Sequence, residues 1–230
     1  MTSYIDIIDG ARPWQGVLDP SVMTDDLVTA GHQLADAAKE GDWPAVMSLL
    51  DRQSKWLVIN QWRPGGPSWF TALHQAAWHG APVDVARELI DRGALRALRD
   101  AKGRTPFDVA TEQGSSARLR QLLSPPRSRA RSTHHEALDQ RLAELIDGRI
   151  AGRLFEGDLR SVLRYPPVEI LHELPGQRVW FPLPGKYGFH IALQHGAALE
   201  VKSWCGLVEG SGQAHLVTPD GSVLVDHGFV

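Results

Sequence analysis

Apolar positions change period partway along the chain, and the change divides it into two kinds of structure. Up to about residue 125 they recur at the three- and four-residue spacing of short helices, as in Leu34 and Ala38 or Val85, Leu89 and Ile90. Between His134 and Tyr165 a longer helical period follows through Leu138, Leu142, Leu145, Ile146, Ile150 and Leu154. This predicts one helix, bent around Gly148 or Gly152, and a short second helix after Gly157. From Pro166 the period falls to two in VEILHEL, RVWFPLP, YGFHIAL, ALEVKSWCGLV, AHLVT and SVLVDHGFV, which predicts five or six antiparallel strands. Turn signals at Glu209-Gly210-Ser211-Gly212 and Pro219-Asp220-Gly221 separate the later strands. The expected class is α+β, with helices first and a β meander or roll last.

The helical half is internally repetitive. TALHQAAWHGAPVDVARELIDRGA over residues 71–94 is followed 34 positions later by TPFDVATEQGSSARLRQLL, so that Thr71 aligns with Thr105, Leu73 with Phe107 and Gly80 with Gly114. A weaker copy, QLADAAKEGDWPAVMSLLDR, places Leu34, Ala38 and Gly41 in the same register at a spacing of 39. Thr71-Ala72-Leu73-His74 and Thr105-Pro106-Phe107-Asp108 resemble the T-P-L-H signature of the ankyrin family. The resemblance implies an all-α stack of about three repeats over residues 32–125, with His74 as a hydrogen-bonding staple and a concave surface offered to partners. The residues agree physically. Ala76, Ala77 and Ala110 permit close helix approach, Thr71 and Thr105 suit helix caps, and Gly80, Gly93 and Gly114 suit helix ends.

The resemblance also gives meaning to the residues around the repeats. Residues 1–31, with Trp14, Leu18, Val22 and Leu27, are expected to cap an open end of the stack. The five additional residues between the first two repeats fall in 53–70, where an enlarged hairpin finger is expected to carry Trp56, Trp62, Arg63 and Trp69 around an Arg-Pro-Gly-Gly-Pro turn. Residues 126–133 read as a linker, because Pro125 and Pro126 stop a helix and the arginines that follow favour solvent. Residues 134–230 form the helix-plus-strand domain.

Composition narrows the function without naming it. A formal charge of −3 gives no overall attraction to nucleic acid or anionic lipid. The single cysteine, Cys205, excludes an intrachain disulfide framework. Neither a secretory segment nor a long apolar run is apparent, so a cytoplasmic protein is expected. Arginine outnumbers lysine 19 to 5, which leans towards a bacterial source.

Tryptophan and arginine dominate interface hot spots, so Trp56, Trp62, Arg63 and Trp69 are the first candidate binding residues, with Trp78 and His79 on the adjoining wall. The competing reading packs these rings onto the protein's own helices. In the strand region His190, His195, Glu200, Cys205 and His215 lie close in sequence. Strand alternation puts Glu200 and Cys205 on opposite faces, leaving His190, Glu200 and His215 as a weak metal alternative. The basic stretch Arg118, Arg120, Arg127, Arg129 and Arg131 lacks interleaved aromatics and reads as a solvated segment. The leading expectation is a non-enzymatic adaptor or regulatory protein that binds a protein partner and needs no cofactor. The alternatives are an enzyme or small-ligand protein with its site among the strands, and a structural homo-oligomer.

Overall fold

The computed structural model describes residues 10–52, 59–126, 132–151, 158–183, 187–194, 198–205 and 211–229. The chain divides into two compact units, one over Leu18–Arg127 and one joining Met1–Val17 to Ser128–Val230. It is an α+β protein in which the helical stack precedes five of the six strands of a sheet among the described residues.

The helical unit is built from antiparallel pairs: α1 (Asp25–Glu40) with α2 (Trp43–Arg52), α3 (Ala72–Trp78) with α4 (Val83–Asp91), and α5 (Pro106–Glu112) with α6 (Ala117–Leu123). Asp25 and Asp26 place negative charge at the amino end of α1, where the helix dipole favours it. Gly41, at φ 73°, ends α1 in the left-handed conformation and donates its N–H to the carbonyls of Ala37 and Ala38. The core runs continuously through the pairs: Leu34, Ala38 and Val46, then Leu73, Ala76, Ala77 and Leu89, then Val109, Ala110, Leu119 and Leu123. Alanines on the first helix of each pair keep the helices close, and leucines on the second fill the space behind them.

The loops joining the pairs are tied by side chains. Asn60 donates from Nδ2 to the Gly93 carbonyl at 2.9 Å and accepts from the Leu95 N–H at 2.9 Å. Asp100, almost fully buried, accepts from the N–H groups of Lys102 and Arg104 and pairs with the Arg104 guanidinium at 2.8 Å. Burial opposes ionisation of Asp100, but the bonds from Arg104 and Lys102 overcome it and hold the carboxyl below its usual range.

Part of the expected finger, residues 53–58 including Trp56, lies outside the described residues. Residues 59–70 contain no strand; a turn closed by the Gly66 N–H on the Arg63 carbonyl at 2.9 Å carries the chain round.

In the other unit the sheet follows sequence order: β1 (Arg12–Pro13), β2 (Arg178–Leu183), β3 (Tyr187–Gln194), β4 (Ala198–Cys205), β5 (Gly212–Thr218) and β6 (Gly221–Phe229). Only β1 is parallel to its neighbour; the rest form an antiparallel meander. Helix α7 (Ser132–Ile150) buries Leu138, Leu142, Ile146 and Ile150 in this unit's interior and is pinned to β4 by Arg149, whose Nε donates to Ser203 Oγ at 2.9 Å. Gly148 lies within α7, and a short helix α8 (Leu159–Val162) follows. Trp14 belongs to this unit: its N–H donates to the Trp180 carbonyl at 2.6 Å and its indole Nε1–H to the Arg164 carbonyl at 2.7 Å.

One expected strand is helical. VEILHEL forms a 3-10 helix over Val168–Glu173, burying Val168, Ile170 and Leu171. Val168 and Leu171 stand three apart, the 3-10 repeat, and Pro166, Pro167 and Pro175 bracket the segment, limiting its ability to join a ladder.

Candidate functional site

The helical unit presents an aromatic row assembled from consecutive repeats. His74 is its foundation. The fully buried imidazole receives the Thr71 hydroxyl at 2.9 Å and the Thr71 N–H at 3.4 Å on Nδ1, while Nε2 reaches the Arg104 carbonyl at 3.2 Å. A carbonyl only accepts, so Nε2 carries the proton and Nδ1 keeps its lone pair for Thr71. In the next repeat Asp108 closes the same cap, accepting from the Thr105 N–H at 2.9 Å and hydroxyl at 2.7 Å.

Phe70 stacks on His74 with ring centroids 5.3 Å apart and meets Trp78 edge-on at 6.4 Å. From the following repeat, the Arg104 guanidinium lies 5.7 Å from the Phe70 centroid. Arg104 is itself fixed by Asp100 and by Glu112 at 2.5 Å. Phe70 is thus held on two sides, and Trp78 rests on it while remaining 46% exposed. His79 is exposed; its Nε2–H donates to the Lys39 carbonyl at 2.9 Å and its ring meets Trp43 at 6.0 Å. Trp78 and His79 therefore adjoin one another at the end of α3, Trp78 resting on Phe70 of its own repeat and His79 attached to the preceding one.

The loop before α3 is organised differently. Trp62 is only 4% exposed and packs against Trp69, centroids 6.3 Å apart. Trp69 is half-buried with φ 55°, a left-handed conformation that costs a non-glycine residue on the order of 1 kcal/mol or more. Arg63 pairs with Asp36 and lies 3.3 Å from His32 Nδ1, joining this loop to α1. Trp62 and Trp69 therefore pack on one another at a tilt of 48°, the first almost fully buried and the second half-buried. Phe70, Trp43 and Arg104 were not singled out from sequence. The repeat register does carry a signal for two of them: Phe70 and Arg104 each immediately precede a capping threonine and are 34 residues apart.

Sheet register separates the histidines of the strand unit. His190 pairs across to Trp180 and Lys202, whereas His215 pairs with Val201, on the other side of the pleat. Glu200 shares the His190 face, leaving His215 opposite both. Among the described residues no three His, Cys, Asp or Glu side chains are placed to hold a metal ion. His195 and the Cys205 side chain lie outside the described residues. His190 is 5% exposed, and neither ring nitrogen has a hydrogen-bond partner. Burial, reinforced by Lys202 and Arg178, pushes its pKa down to about 4.

Gly188 lies beside this face. A Cβ there would come within 2.0 Å of Trp180 Cη2, so the missing side chain makes room for the indole. Trp180 in turn meets Trp204 edge-on at 6.0 Å.

No described helix is long and apolar enough to cross a membrane. The chain matches no curated protein. The ankyrin-repeat family model matches residues 68–101, a span that contains Phe70, the Thr71–His74 cap, Trp78 and His79, and these residues form an ankyrin repeat.

Proposed function

We propose that this is an adaptor or regulatory protein of the bacterial cytoplasm that binds a partner protein across its ankyrin surface. The observation that carries the reading is Trp78: a large ring left 46% exposed, yet fixed edge-on to a Phe70 that His74 and Arg104 hold in place. An exposed ring immobilised before binding loses little entropy on contact, and tryptophan in such a position is a characteristic hot spot. Trp78 and His79 form the centre of the proposed contact. Arg63 and Trp69 contribute its margin, with Trp62 packed against Trp69, and Trp56 is a further proposed contact.

The test is affinity capture from native lysate followed by mass spectrometry, comparing wild type with Trp78→Ala and with Phe70→Ala, each verified as folded by circular dichroism. A stoichiometric protein retained by wild type and lost by Trp78→Ala supports the reading. Equal recovery by all three removes Trp78 as the anchor.

A second reading, small-ligand binding by the strand unit, has the unpartnered His190 in its favour. It requires a compound that raises the melting temperature of wild type and not of His190→Leu.

A further inference from the structure

Strand β6 ends the sheet, and among the described residues no strand pairs with its outer side. At about 3.4 Å per residue, Gly221–Phe229 presents roughly 30 Å of backbone donors and acceptors there. Every residue from Ser222 to Gly228 is exposed, and three in succession are apolar: Val223 is 64% exposed, Leu224 46% and Val225 58%. Leu216, which pairs with Val223 from β5, is exposed too, so the patch is continuous rather than a scatter of single side chains. Of the features that keep a sheet edge from pairing, β6 has one carboxylate, Asp226, and register shifts against β5 at Gly212/Gln213 and Ala214/His215, but no lysine or proline. The opposite edge, β1, is only two residues long.

We propose that β6 pairs with β6 of a second copy of this chain, antiparallel about a twofold axis at Leu224, so that two sheets join in a homodimer. About that axis Val223 of each copy lies opposite Val225 of the other, and each apolar side chain covers another. Charge fits the same register. Asp226 lies opposite Ser222, whose hydroxyl is a donor, and Asp220 opposite Gly228, so no like charges meet. A parallel pair in register would instead set Asp226 beside Asp226. The register shifts favour an identical strand over a foreign one, because a twofold axis matches the added twist of one copy with that of the other. With β1 too short to extend the sheet from its far edge, assembly closes at two. The contact uses no residue of the helical unit and is independent of partner binding at Trp78.

Sedimentation equilibrium of the full chain from about 1 μM to about 1 mM tests this, and a reversible monomer–dimer equilibrium is expected within that range. Combining Val223→Lys with Val225→Lys sets lysine opposite lysine on both sides of the axis and should weaken the dimer about tenfold or more. Combining Val223→Lys with Val225→Asp sets opposite charges in the same places and should recover most of the loss. Val22→Lys makes a like change at an exposed apolar residue of the helical unit and should leave the dimer unaltered. All the substituted side chains are exposed, and circular dichroism verifies that each variant is folded. The proposal is overturned if wild type stays monomeric throughout, if the double-lysine variant dimerises like wild type, if the Lys–Asp variant is as weak as the double lysine, or if Val22→Lys weakens the dimer equally. Open-ended polymers in place of a dimer would overturn it as well.

Discussion

His74 Nε2 lies 3.2 Å from the carbonyl oxygen of Arg104, so one buried imidazole both caps its own helix and bonds to the repeat that follows. Arg104 returns the contact by placing its guanidinium over Phe70, the ring stacked on His74. The aromatic row is therefore coupled to the bonds that hold the repeats together.

Replacing His74 with Ala should cost about 2–4 kcal/mol, combining a lost cap, an orphaned carbonyl and a small cavity. His74→Asp should cost less, because Asp108 shows that a carboxylate can close the same cap without reaching the next repeat. Urea unfolding of both variants measures the difference. Equal losses would mean that the contact with Arg104 contributes nothing beyond the cap.

Arg104→Ala leaves the carboxylate of Asp100 buried without its cation, which should destabilise the protein by roughly 3 kcal/mol or more. It should also loosen Phe70, and with it Trp78, visible as increased acrylamide quenching of tryptophan emission while the chain is still folded.

The strand unit should weaken in acid for a reason specific to His190. Its ordinary pKa of 6.5 falls to about 4 in the folded protein. The unfolded chain therefore binds a proton that the folded chain refuses. The stability due to neutral His190 is full above about pH 6.5 and declines as pH falls towards about 4, by roughly 2–4 kcal/mol at ~1.4 kcal/mol per unit. His135 and His215 are also shifted down, chiefly by burial, and act in the same sense. Denaturation across pH 4 to 7 should show a shallower slope for His190→Leu. That variant should also gain about 1 kcal/mol at neutral pH, because both ring nitrogens are unpaired in the parent.

Gly188→Ala should cost roughly 1–3 kcal/mol, because the added methyl occupies the space of the Trp180 ring. Displacement of Trp180 from Trp204 would appear in near-ultraviolet dichroism, and an unchanged spectrum with unchanged stability would contradict the packing described.

The ankyrin stack was legible because its signals are local: threonine caps 34 residues apart, alanine-rich first helices and terminal glycines all occur within short windows. The staple role of His74 followed from the family signature and agrees with its two hydrogen-bonded nitrogens. The meander was legible from alternation, except at Val168–Glu173, where a short apolar run fits period two and the 3-10 spacing almost equally. Burial of Trp62 and the fit of Trp180 over Gly188 were not legible, since both depend on what lies opposite in space.

The most direct test of the central claim is photocrosslinking with a benzoylphenylalanine placed at position 78 and, in a separate variant, at Val223, an exposed site on β6 of the strand unit. Irradiation in cells should join one abundant protein to position 78 and not to position 223. A crosslink to that protein from position 223 alone, or none from position 78 in a variant shown to be folded, would contradict the assignment of the ankyrin aromatic row as the partner-binding surface.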